Sequence, residues 1–159
     1  MLKPEHYAAR LREARAAAGL TREEVVDQSG VDASCYLDME ADDREFPTVS
    51  SLTEVIAVLA VMQIDPYSFF PVHSSFEGAF SFDGLAAAIG RYLIRTSTSL
   101  EEFEEAVGWE LRKALQDPRL FGDFSLDGLC AVCEGIGCDW RGVLTGEIRA
   151  RAPGRGPSA

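Results

Sequence analysis

Cys130-Ala-Val-Cys133 and, five residues on, Cys138 are the side chains here whose type and spacing most suggest chemistry, because neighbouring thiolates can hold a metal or cycle through a disulfide. A structural zinc site needs a fourth ligand, and the only histidines, His6 and His73, have no paired spacing. A redox pair favours a helix N-terminus, where the thiol pKa falls, whereas these cysteines fall inside or late in a predicted helix. They are expected to be small hydrophobes of a core, with no metal and no cofactor bound. Nothing else assembles a catalytic site. No Ser-His-Asp arrangement has any specificity, no glycine-rich phosphate loop follows a strand, and Glu104 and Glu105 are adjacent on a helix and point apart. No catalytic residue, and no enzyme, is expected.

The 159 residues carry a net charge of −11. Residues 1–74 hold six basic and thirteen acidic side chains, residues 75–146 six and twelve, and residues 147–159 three and one. Nonspecific affinity for nucleic acid comes mainly from Lys and Arg displacing counterions along the phosphates, so neither half is built for it by bulk charge. No apolar run approaches the ~20 residues that span a bilayer, and no basic-then-apolar leader opens the chain, so no membrane partner and a cytoplasmic location are expected. Four cysteines in this length are too few for a dense disulfide framework, which fits a reducing compartment.

The elements that would position any site are helices. Thr21 with Glu24 forms a capping box, Gly30 supplies a left-handed turn, and Asp32 can cap the helix that follows. Val25, Val31, Tyr36 and Met39 then fall inward at helical spacing. Helices are predicted near Pro4 to Ala18, Thr21 to Ser29, Ala33 to Glu40, Ser51 to Met62 and Pro66 to Phe70, the last opened by Asp65 as cap and Pro66 at the first helical position.

This pattern recurs. Shifting the chain by 78 residues sets Tyr7 on Leu85, Leu11 on Ile89, Glu23-Glu24-Val25 on Glu101-Glu102-Phe103 and Gly30-Val31 on Gly108-Trp109. Ser99 and Glu102 repeat the capping box. Past the third helix the shift falls to 74, pairing Leu52 with Leu126, Leu59 with Cys133, Ile64 with Cys138 and Asp65 with Asp139, so the three cysteines take apolar core places of the first copy. Second-copy helices are predicted near Asp83 to Arg95, Leu100 to Val107, Glu110 to Gln116, Leu126 to Gly135 and Trp140 to Thr145. Phe76, Phe80 and Phe82 in the connecting segment are expected to pack the copies together. The domains are then 1–72 and 83–146, with 147–159, including Arg149, Arg151 and Arg155, as a disordered tail.

From about Leu11 to Phe70 the chain resembles the phage-repressor or Cro-like (Xre-like) helix-turn-helix family, with a divergent second copy. The resemblance implies an all-α fold of two tandem lambda-repressor-like, five-helix helix-turn-helix units, and a transcription regulator whose partner is double-stranded DNA. It puts Arg22 at the phosphate anchor and Asp32, Ala33, Ser34, Leu37 and Asp38 at the base-facing places, with Arg44 nearby and Arg112 and Lys113 on the equivalent second-copy helix. The departures are equally specific. No Arg or Lys lies between Arg22 and Arg44, and Asp32, Asp38, Glu40, Asp42, Asp43 and Glu45 crowd the edge that should face phosphates. The alternative is an acidic protein-interaction module on the same fold, an antirepressor or DNA-mimic, binding a partner through Asp38, Asp42 and Asp43. In the second copy, Glu104 replaces a small residue and Asp117 with Pro118 an apolar one; either would expose a charge that the packing buries, which implies an altered angle or a shorter helix.

Overall fold

The computed structural model describes residues 6–70 and 80–151. Pro4, His73, Phe76 and Arg155 lie outside them. The first half runs α1 (Tyr7–Ala18), α2 (Arg22–Ser29), α3 (Ala33–Ala41), α4 (Phe46–Val49), α5 (Leu52–Val61) and α6 (Pro66–Phe69). The second runs α7 (Phe82–Thr96), α8 (Leu100–Val107), α9 (Arg112–Gln116), a 3₁₀ helix (Pro118–Asp123), α10 (Leu126–Gly135) and α11 (Trp140–Arg151). The described residues form helices and their connections, with no strand.

Local hydrogen bonds explain the boundaries. Thr21 and Glu24 bond reciprocally at the start of α2, as do Ser51 and Glu54 at α5 and Ser99 and Glu102 at α8. Gly30 (φ 72°) and Gly108 (φ 76°) end α2 and α8 in the left-handed conformation that a Cβ disfavours. Side chains of Asp32 and Asp65 cap α3 and α6.

One contiguous apolar core joins both halves. Leu11, Val25, Tyr36, Met39, Leu52 and Leu59 enter it from the first, and Ile89, Phe103, Ala114, Leu126, Leu129 and Cys133 from the second. The halves meet through matched elements: α4 packs on α10, and α5 on the 3₁₀ helix. At the centre, Ser51 and Ser125 form an isolated antiparallel bridge, with Leu126 N–H donating to the Ser50 carbonyl at 2.8 Å. Phe70 meets Trp140 edge-on, ring centroids 5.3 Å apart.

Phe80 and Phe82 pack into the core that both halves share. Their amides donate to Gly142 O (3.1 Å) and to the buried Glu147 carboxylate (2.9 Å), fastening the start of α7 to α11. Several expectations need correction. That fastening carries α11 to Arg151, past Thr145 and into the segment expected to be tail. The short helices α4 and Pro118–Asp123 were not predicted, each being too brief for a periodic signal; they form because Phe46 and Phe121 are wholly buried. Glu104 does not lie idle either. Its carboxylate accepts from the backbone of Leu111 (2.5 Å) and Arg112 (3.0 Å), capping α9 from the preceding helix, while Asp117 accepts from Arg119 N–H and caps the 3₁₀ helix.

Candidate functional site

The faces that a helix-turn-helix would present are α3, the start of α2 and, in the second half, α9. Asp32, Ala33, Ser34, Leu37 and Asp38 are all exposed. Two of them are used inside the helix. Asp32 Oδ1 accepts from Ser34 N (2.9 Å), Cys35 N (3.3 Å) and the Ser34 hydroxyl, and the hydroxyl bond, then the two amides, holds the Asp32 carboxyl below the usual range. What α3 offers outward is therefore Ala33, a half-exposed Leu37 (48 %) and the carboxylate of Asp38, with Asp42 just beyond.

Behind that face lies a polar cluster centred on the Glu40 carboxylate. Glu40, expected among the surface acids, is 2 % exposed. Its Oε1 accepts from Arg15 Nε (2.7 Å) and the Tyr36 hydroxyl (2.7 Å), and its Oε2 from Arg22 Nε (2.7 Å) and Arg15 Nη2 (3.2 Å). Four donors on two oxygens satisfy the carboxylate, and Arg12 bonds the Glu40 carbonyl. Burial pushes the Glu40 carboxyl up, but the bonds from Arg15, Tyr36 and Arg22 outweigh it and hold it below its ordinary value. Arg22, placed by resemblance at a phosphate anchor, has its Nε turned inward on this carboxylate, with its side chain 47 % exposed. At the matched second-half places stand Leu93, Leu100, Ala114 and Pro118, so the cluster belongs to the first half alone.

The remaining site residues divide similarly. Asp43 is not a free surface acid. Its Oδ1 accepts from Ala9 N (3.2 Å) and its Oδ2 lies 3.1 Å from His6 Nδ1, so it serves the start of α1. Asp42 and Arg44 are exposed, the Arg44 amide donating to Asp42 at 2.6 Å, and both line a cleft with His6 and Arg12. On α9, Arg112 and Lys113 are exposed, and Arg112 pairs with Glu101 at 2.8 Å.

All four cysteines are free thiols. Cys35, half-buried, donates to Val49 O (3.4 Å), and burial, with the Glu54 carboxylate nearby, pushes its thiol up to about 12. Burial also raises the Cys130 and Cys133 thiols. Protonated thiols are poor metal ligands and poor nucleophiles, and no group of three metal-binding side chains converges among the described residues. Cys133→Ser should lower stability by about 1–3 kcal/mol, read from urea unfolding, by putting a hydroxyl in this apolar site; an unchanged midpoint would argue against core placement.

No family model matches the chain, and no curated protein or solved structure is significantly similar to it. Among the described residues no helix is long and apolar enough to cross a membrane.

Proposed function

We propose that the chain is a protein-binding module built from two tandem phage-repressor-like helix-turn-helix units, with the exposed face of α3 as its binding surface. The observation that carries this reading is the fate of charge around α3. Arg22 points its Nε at buried Glu40, and the side chains left facing outward are Ala33, Leu37 and Asp38. A surface of one apolar anchor beside carboxylates repels phosphates and suits a partner with a basic, apolar patch. Such a partner has the surface chemistry that otherwise meets nucleic acid.

Titration of the isotopically labelled chain, followed through its amide NMR signals, tests this. An amphipathic Arg/Leu-rich helical peptide should shift the signals of residues 33–38, and Asp38→Lys should abolish the effect. Random duplex DNA should shift nothing, even at low salt. The second reading, a DNA-binding regulator, draws on exposed Arg112 and Lys113 on α9. It predicts DNA-induced shifts at residues 110–116 with a steep salt slope, and that result would replace the first reading.

A further inference from the structure

Among the described residues two large apolar side chains are exposed, Leu37 on α3 (48 %) and Ile94 on α7 (83 %). Their surroundings have opposite charge. Leu37 is followed by Asp38, with Asp42 one turn on. Ile94 lies three residues from Arg91 and next to Arg95, and Arg91 and Arg95, four apart, share one helix face. The Arg95 guanidinium covers the Tyr92 ring at 5.8 Å, and among the described residues neither arginine has a carboxylate within ion-pair distance. Arg15, Arg22, Arg112, Arg119 and Arg141 are each paired with an acid; Arg10, Arg12 and Arg44 have no such pair among the described residues either, but what sets Arg91 and Arg95 apart is the exposed Ile94 on the same helix. In a chain of charge −11, two arginines left unpaired around the most exposed isoleucine form a distinct cationic, apolar patch.

The two patches do not serve each other within one molecule. The main packing of α3 is on α1, α2 and α4, and that of α7 on α11 and the 3₁₀ helix. We infer that a second copy of this chain docks its Arg91–Ile94–Arg95 patch onto the Leu37–Asp38 face of α3, in a head-to-tail contact. Charge complementarity selects this occupant: the patch has the basic, apolar chemistry that the α3 face suits. The inference rests on α3 being a protein-binding face. Because the contact joins two different surfaces, it leaves a free patch at each end and propagates with concentration rather than closing at a dimer.

Sedimentation velocity on the full chain tests it. The parent's average mass should rise with concentration. Leu37→Asp and Ile94→Asp, both surface changes whose folding is checked by helical circular dichroism, should each weaken association roughly tenfold or more. An equimolar mixture of the two variants retains one intact α3 face and one intact α7 patch, so it should form a dimer that grows no further. The charge-swapped pair Asp38→Arg with Arg95→Asp should restore association lost in either single variant. A parent that stays monomeric throughout, or a mixture that never dimerises, would overturn self-docking. If the Arg/Leu-rich peptide still shifts residues 33–38 in that case, the α3 reading survives and only the second-copy partner falls; if it does not, both fall.

Discussion

Glu40→Gln should cost about 3–5 kcal/mol of folding stability, measured by urea unfolding. The glutamine keeps the shape but removes the negative charge, leaving the mostly buried Arg15 guanidinium uncompensated and setting an amide NH₂ against arginine donors. Arg22→Ala should cost less, because its side chain is half exposed and water replaces part of what it loses. Replacing Arg15, Arg22 and Glu40 together by leucine should be milder than Glu40→Gln alone, since the second half already fills three of its matched places with Leu93, Leu100 and Pro118. The pH dependence has a definite sign. A carboxyl held below its unfolded value of about 4.3 contributes its full stabilisation above that pH and loses it as pH falls through the folded value. The urea midpoint should thus hold between about pH 7 and 5 and fall below about pH 4, with part of that fall absent in Glu40→Gln. A loss below about 1 kcal/mol for Glu40→Gln would mean that the cluster is solvated rather than buried.

Phe70→Ala should be comparably severe, about 3–5 kcal/mol, with a red shift of tryptophan emission. Phe70 is wholly buried, edge-on to Phe69 at 5.0 Å and tilted against Tyr7 at 5.4 Å, and it reaches across to Trp140. Both tryptophans belong to the second half, and Trp140 is 8 % exposed. A first-half truncation that alters tryptophan emission therefore reports on the contact between halves. Lost stability with unchanged emission would confine Phe70 to the core of its own half.

What could be read from the sequence is what hydrogen bonds over three or four residues decide. The capping boxes of Thr21 with Glu24 and Ser99 with Glu102, the left-handed Gly30 and Gly108, and the caps at Asp32 and Asp65 all fall where their spacing put them. The inward places of Val25, Tyr36, Met39 and Cys133 followed from helical period and from internal matching. Four elements were set by partners distant in the chain. Glu40 meets Arg15 across 25 residues, Asp43 meets Ala9 across 34, Phe82 meets Glu147 across 65, and Leu126 meets Ser50 where the halves join. Three of these changed the reading of a residue: Glu40, expected on the surface, became a buried anchor, Asp43 became an acceptor for the start of α1, and Glu147, expected in a tail, became part of α11. A short-range pattern states which side chain a position carries and which way a helix turns it. Which charges remain facing water depends on where a donor from another helix lies, and only the tertiary packing of α1, α2 and α3 decides that the carboxylate taken is Glu40 while Asp38 stays outside.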